Sequence, residues 1–339
     1  MTQKIDLLSV VVPVFDEQTV VAEFNRRAQE ALRSLPVACE LLYVNDGSRD
    51  DTPGILRSLW QQYDNISVID LSRNFGKEAA MTAGLDHATG DAVVIIDADL
   101  QDPPELIPEL VRMFEAGDYD VIYAQRASRS GETLPKRISA HFFYRIIGGL
   151  TGINIPPDTG DFRLMGRQAV EALRQLREHH RFMKGLFAWI GFRQAALRYD
   201  RDARFAGTSK FNYWRLWNFS LEGITSFTTA PLKVAAYVGL FTSLVAALYG
   251  IVIVIRTILF GNPVAGYPSL LVVVLFLGGL QLLTLGIIGE YLGRIFNEAK
   301  HRPLYFVRER VARRGAGATP VETDFPGAHL AIKASPAQE

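Results

Sequence analysis

Two aspartates, Asp97 and Asp99, stand just past the apolar run Asp91-Ala-Val-Val-Ile-Ile96. The run predicts a buried parallel strand, and carboxylates just beyond such a strand lie where open α/β sheets bind ligands. An unpaired carboxylate beside an apolar strand is costly, and one bound cation would satisfy both. Period-two alternation sends the two side chains the same way. Both then reach a single Mg²⁺ or Mn²⁺, directly or through water, with Gln101 adding a neutral oxygen. Such an ion offsets charge developing on a departing nucleoside diphosphate. Asp-x-Asp recurs by chance, and its place at a strand end is what gives it weight.

Two further apolar runs end in acidic or amide residues: Val11-Val-Pro-Val-Phe-Asp-Glu17 and Leu42-Tyr-Val-Asn-Asp-Gly-Ser48. Strand ends of this kind floor a nucleotide pocket. Asp16, Glu17 and Asp46 suit hydrogen bonds from ribose hydroxyls or base N–H groups. The competing reading is that Asp-Gly-Ser is a turn that Asp46 stabilises. The segment Ser72-Arg-Asn-Phe-Gly-Lys77 runs straight into a helix. Cations there oppose the helix dipole unless an anion lies between them, so Arg73 and Lys77 are candidates for diphosphate or nucleobase contact. Against this stands an ordinary solvated surface.

These residues need a scaffold, and strand-type and helix-type segments alternate to provide one. Strands are expected at Ser9 to Val14, Glu40 to Val44, Ser67 to Leu71, Ala92 to Ile96 and Asp120 to Ala124. Helices are expected near Thr19 to Leu35, Thr52 to Tyr63, Glu78 to His87 and from Pro103-Pro104-Glu105 onward. That rhythm is βαβ, a mostly parallel sheet covered on both faces. Leu7 to Phe15 is apolar, but Asp16 and Glu17 follow at once, so it reads as the first strand rather than a signal peptide. The 36 basic and 36 acidic residues cancel, which disfavours nucleic acid as a partner. Cys39 is the only cysteine, so no intrachain disulfide forms and an oxidising compartment is not indicated.

Hydrophobic content, 48% overall, concentrates after Pro231. Val234 to Ile255 and Tyr267 to Gly289 are each about the 20 residues a bilayer requires. The connection Gly261-Asn-Pro-Val-Ala-Gly266 lacks lysine and arginine, whereas Arg294, Lys300, Arg302, Arg308, Arg310, Arg313 and Arg314 follow the second run. The positive-inside rule then puts both termini in the cytoplasm. Arg256 is discordant and snorkels from a helix end. Glu290 and Arg294 read as a local i,i+4 pair. Beyond Arg314 no apolar period is sustained, which predicts disorder.

Asn45-Asp-Gly-Ser48, Ser72-Arg-Asn-Phe-Gly-Lys77, Asp97-Ala-Asp-Leu-Gln-Asp-Pro-Pro104, Gly207-Thr-Ser-Lys-Phe211 and Gly289-Glu-Tyr-Leu-Gly-Arg294 occur in that order. Together they make the chain resemble a polyprenyl-phosphate glycosyltransferase of glycosyltransferase family two, over about residues 7 to 308. It is similar to bactoprenol glucosyltransferases and aminoarabinosyl transferases, and more distantly to dolichyl-phosphate mannose synthase. The resemblance implies a GT-A catalytic domain at 1–210, an interfacial amphipathic helix at 211–230, a two-helix transmembrane hairpin at 231–295 and a partly disordered cytoplasmic tail at 296–339. It implies inverting transfer of one sugar from a nucleotide donor, UDP-glucose preferred, to undecaprenyl phosphate at the bacterial inner membrane, by a multi-pass protein. A homo-oligomer is also implied. The donor site falls on Pro13, Phe15, Asp16, Glu17, Asp46, Arg73, Lys77, Asp97, Ala98 and Asp99, and the Mg²⁺ or Mn²⁺ site on Asp97, Asp99 and Gln101. Phe15-Asp16 stands where the family more often has tyrosine and asparagine. Within Pro157-Asp-Thr-Gly-Asp-Phe-Arg163, Asp158 matches the family's acceptor-side carboxylate better than Asp161. Arg126, Arg137, Arg204 and Lys210 match its acceptor-phosphate cations.

Those cations also make physical sense, because bringing a lipid phosphate up to a donor diphosphate is an approach of like charges. Phe211-Asn-Tyr-Trp-Arg-Leu-Trp217, and Phe142 to Ile147 beside Lys136 and Arg137, suit the headgroup boundary, with core packing as the alternative. A phosphate monoester is already largely ionised at neutral pH, its second pKa lying near 6, so no strong base is needed. Asp158 then orients the acceptor or completes the metal site. A processive polysaccharide synthase needs more spans and a Gln-x-x-Arg-Trp pattern that is absent. A sugar-nucleotide sensor without turnover is opposed by the full set of acids and cations, and a transporter by the hairpin's lack of a polar path. GDP-mannose and UDP-aminoarabinose derivatives remain alternative donors.

Overall fold

The structure is a computed structural model that describes residues 4–126, 156, 159–199, 225, 228–260 and 266–313. The expected alternation is present: β1 (Leu7–Val14), α1 (Val21–Arg33), β2 (Ala38–Asn45), α2 (Thr52–Gln62), β3 (Ile66–Leu71), α3 (Lys77–His87) and β4 (Ala92–Ile95). A 3₁₀ turn at Pro104–Leu106 opens α4 (Ile107–Ala116), and β5 (Val121–Arg126) follows. Next come β6 (Thr159–Gly166), α5 (Arg167–Gln175), α6 (Met183–Trp189) and β7 (Gln194–Tyr199). Two long helices, α7 (Ala230–Phe260) and α8 (Tyr267–Ala299), precede a last strand, β8 (Val307–Val311).

The strands form one sheet in the order β7-β5-β6-β4-β1-β2-β3-β8. β1 pairs in parallel with β2 and with β4, so the chain winds outward through β3, then returns to the opposite side of β1. The order reverses there, and the crevice at the carboxyl ends of β1 and β4 is where such a sheet binds ligands. β6 is antiparallel to both β4 and β5, and β7 is parallel to β5.

The central strands are apolar almost throughout because both faces are covered. Val10, Val12 and Tyr43 face a layer containing Phe24, Leu56 and Leu110, while Val11, Val44 and Ile95 face one containing Met81, Leu173 and Leu186. α3 is buried along most of its length, from Ala79 to Leu85. A Cβ on Gly84 would lie 2.2 Å from Val11 Cγ1, so only glycine lets this helix lie so close on β1. The close approach sets the first turn of α3, with Lys77, at the rim of the crevice.

α7 and α8 are long and apolar enough to cross a membrane, and their large side chains point outward all round: Leu240 is 67%, Phe260 80% and Leu282 71% exposed. Helices apolar on every side suit lipid rather than water. The Tyr291 hydroxyl donates to the Thr228 carbonyl at 2.7 Å, tying α8 to the start of α7.

The described part of the segment from 296, where a partly disordered tail is expected, returns to the sheet as β8, antiparallel to β3. Tyr305 is buried and donates to Asp86 at 2.8 Å, Trp60 donates to the Ala312 carbonyl at 2.8 Å, and Arg57 pairs with Glu309 at 2.8 Å. Val307-Arg-Glu-Arg-Val311 resembles a charged tail because it is an edge strand, and edges carry charges that discourage further pairing.

Candidate active site

A cleft of about 250 Å³ opens at the carboxyl ends of β1, β2 and β4. Pro13, Phe15 and Glu17 line it from β1, Asp46 from β2, Lys77 from α3, and Asp97, Ala98 and Asp99 from the turn after β4. The cleft thus gathers most of the expected donor residues.

Its electrostatic centre is an ion triad. Lys77 Nζ lies 2.7 Å from Asp97 Oδ2 and 2.5 Å from Asp161 Oδ2, the latter carried on β6. Burial works against the Lys77 charge, but the two carboxylates outweigh it and hold the ammonium protonated well above the usual lysine range. Burial also pushes both acids up. For Asp161 the Lys77 charge, helped by Lys184, wins and holds the carboxyl well below the ordinary range. For Asp97 burial, with the Asp161 charge beside it, wins over Lys77 and the carboxyl is raised. Of two acids sharing one ammonium, Asp161 keeps its charge most firmly. In this arrangement Asp161 is the counter-ion of Lys77. Lys77, expected to face a diphosphate or nucleobase, spends its charge on these acids.

Asp46 resolves two readings. Its oxygens accept hydrogen bonds from the backbone amides of Phe75 at 2.7 Å and Gly76 at 2.9 Å, so it clamps the loop ahead of α3. Gly47 beside it has φ +66, and a Cβ there would come within 2.5 Å of the Arg73 carbonyl carbon. Only glycine fits the turn and the contact together. Burial raises the Asp46 carboxyl despite the two amide bonds and Arg73. It lines the cleft while holding its shape.

Other expected positions lie elsewhere. Asp16 has φ 55, and its carboxylate accepts from the Arg49 amide at 2.8 Å, fastening the β1 turn to the loop after β2. Arg73 stacks on Phe75, 4.1 Å from the ring centroid. Gln101 donates its backbone N–H to Asp99 Oδ1 at 3.0 Å and is not part of the cleft lining. Arg126 ends β5 with its Nε buried and without a hydrogen-bond partner. Asp158, Arg137, Arg204 and Lys210 lie outside the described residues, as do Phe142 to Ile147 and Phe211 to Trp217.

Sequence reasoning missed several neighbours. Lys184 on α6 faces the Asp161 charge, and burial, with Lys77, Arg163 and Arg126 nearby, lowers its pKa. Arg163 lies over Phe187 at 3.6 Å, and burial brings its pKa to about 10. Asp102 is buried and accepts a hydrogen bond from the Tyr199 hydroxyl, anchoring the aspartate turn to β7. Asp102 had a signal, being a third acid within the same motif. Lys184 and Arg163 had none, because only the antiparallel β6 brings Arg163 here and only the packing of α6 beside β6 brings Lys184.

The donor set fits a divalent metal in one respect: this corner already demands a cation, which the Lys77 ammonium supplies. Among the described residues no group of three or more His, Cys, Asp or Glu is placed to hold a metal alone.

Residues 9–174 match the model of glycosyl transferase family 2, and residues 230–295 match that of the GtrB C-terminal hairpin. A bactoprenol glucosyl transferase of Shigella phage SfV is 47% identical over 89% of this chain and 98% of its own. An uncharacterized glycosyltransferase of Synechocystis is 52% identical over 89% of this chain and 95% of its own. A mixed, mostly parallel sheet with acids at its switch point is the GT-A type of catalytic domain. The chain belongs to glycosyltransferase family 2, in the polyprenyl-phosphate branch with the bactoprenol glucosyl transferases, and is an enzyme of glycosyl transfer.

Proposed function

We propose that the enzyme transfers a single glucosyl residue from UDP-glucose, with inversion, to undecaprenyl or another polyprenyl phosphate at the cytoplasmic face of the bacterial inner membrane. The observation that carries this reading is one cleft lined by Asp97, Asp99 and Lys77 in a chain that also bears two membrane-length apolar helices. Relatives 47% identical, named for glucosyl transfer to bactoprenol, support the acceptor and the sugar. The basic residues after α8 support a hairpin with both ends inside.

Glu17 borders the β1 end of the cleft, where it accepts hydrogen bonds from the nucleoside, and Asp46 keeps the loop ahead of α3 in place beneath it. Asp97 and Asp99 would hold a Mg²⁺ or Mn²⁺, whose charge stabilises the leaving diphosphate when bound. Lys77 keeps a second positive charge at the same corner. The acceptor phosphate arrives already ionised, so Asp158 orients it, and Arg126, Arg137, Arg204 and Lys210 offset the repulsion between the phosphates.

The test is incubation of the purified protein with undecaprenyl phosphate, Mg²⁺ or Mn²⁺ and a panel of radiolabelled sugar nucleotides. Label passing from UDP-glucose to the lipid is expected. Label from GDP-mannose or a UDP-aminoarabinose derivative instead would replace the donor, and an unlabelled lipid with every donor would remove the reading.

A further inference from the structure

Across Lys77 from the donor cleft lies a second, larger cavity of about 570 Å³. Arg73 reaches it from the end of β3, Arg181 from the turn before α6, and Arg302 from the segment just beyond α8, with His179 between them. Three arginines from three separate parts of the chain therefore line one cavity. The one carboxyl in the wall, Glu78, is pushed up to about 8 by burial and by the Asp161 charge, so at neutral pH it does little to cancel them.

Arg181 is 6% exposed, and its guanidinium is only partly satisfied. Nη1 donates to the Leu176 carbonyl at 2.6 Å and Nη2 approaches the Met183 sulfur at 3.6 Å, while the buried Nε has no hydrogen-bond partner. Among the described residues Arg181 has no ion-pair partner within 4.0 Å either. Burial lowers the Arg181 pKa although the Glu178, Glu78 and Asp86 charges oppose it, and a bound anion would both offset that burial and supply the contact that Nε lacks. The Glu78 Oε2 is also buried without a partner, which suits the carboxyl as a donor to an incoming oxygen.

The cavity is tied to the end of an apolar helix. The His179 backbone amide donates to Glu298 Oε1 at 2.7 Å, and its ring Nε2 donates to the Arg302 carbonyl at 2.7 Å. Helix α8 ends at Ala299, so Arg302 stands within a turn of it. When α8 spans a bilayer, that level is occupied by headgroups.

We infer that this cavity, which adjoins the donor cleft and shares Gly76 and Lys77 with it, is a second anion site that binds a phosphate group carried by an anionic membrane lipid or free in solution. Phosphate matches converging arginines because each planar fork meets two of its oxygens. The site does not depend on which sugar the enzyme transfers.

Its test uses the full chain in micelles with UDP and Mn²⁺ at saturation, so that the donor cleft is filled. Inorganic phosphate is titrated against chloride at constant ionic strength, with the unfolding midpoint read by tryptophan fluorescence. In a second arm, nanodiscs of phosphatidylglycerol are compared with phosphatidylcholine. A saturable rise in midpoint is expected, with apparent affinity about tenfold weaker in Arg302→Gln, as loss of one charge-assisted contact implies. The exposed Arg302 makes this variant fold-neutral, and Arg112→Gln on α4 should leave the rise intact. A response to phosphatidylglycerol as well as phosphate identifies a lipid headgroup, and a response to phosphate alone a soluble source. No rise in either arm, a rise unchanged in Arg302→Gln, or a rise that UDP abolishes overturns the inference.

Discussion

Replacing Lys77 by methionine keeps the length of the side chain and removes the ammonium that joins Asp97 to Asp161. Removing one partner of a fully buried ion pair costs about 3–5 kcal/mol, because a desolvated charge is left behind. Here the lysine side chain is 43% exposed, while Asp97 and Asp161 are 27% and 12% exposed, so water carries part of the load. We therefore expect about 2–3 kcal/mol, which is roughly 4–12 °C in the unfolding midpoint of a domain of this size. The sign of the pH dependence follows from Asp161. Its carboxyl is depressed in the folded enzyme, so its contribution is present above the unfolded carboxylate range and lost only as pH falls through the folded value. Without the ammonium both acids titrate upward, and that stability is lost in the variant as pH rises above the unfolded range. The deficit of Lys77→Met should thus be small near pH 4 and widest near pH 8. Mn²⁺ should narrow it at pH 8, because a dication replaces the missing charge. Thermal unfolding from pH 4 to 8, with Mn²⁺ or with chelator, reads all of this. A deficit that stays constant across that range would refute the electrostatic account of the corner.

Asp99→Asn keeps the oxygen that accepts the Gln101 amide, so the fold should survive while glycosyl transfer falls by roughly 10²-fold or more and Mn²⁺ binding, read by paramagnetic resonance, weakens. Tyr305→Ala empties a buried site under β8 and should cost about 3–5 kcal/mol in denaturant unfolding. Tyr305→Phe should cost only about 1 kcal/mol, since Asp86 keeps both contacts to Arg177; equal losses for the two would show that the ring does not pack. Gly84→Ala forces a methyl to within 2.2 Å of Val11 Cγ1 and should destabilise by about 1–3 kcal/mol, whereas an unchanged midpoint would mean that α3 lies farther from β1.

The first half of the fold was legible because buried parallel strands are near-continuous apolar runs and three of the helices between them, α1, α2 and α4, are amphipathic or open near a proline. Asp97, Asp99 and Glu17 could be placed because a strand end and a switch point follow from that alternation alone. What stayed hidden depended on long-range pairing. Asp161 and Lys77 are 84 residues apart and meet only because β6 runs antiparallel beside β4. Asp46 and Arg73 illustrate a second limit: sequence shows a charge at a loop but not whether backbone amides or an aromatic ring will use it first. β8 escaped notice because an edge strand has one neighbour and so little apolar signal.

The position of β8 has a consequence for biogenesis. β3 leaves the ribosome early, yet the strand that covers its outer edge is made only after both apolar helices have been translated. During that interval the nascent sheet presents open hydrogen-bonding groups along that edge, the condition under which chains pair wrongly with one another. Closure of the sheet therefore waits on translation of both apolar helices, and a chain stalled before β8 would carry an unfinished catalytic half.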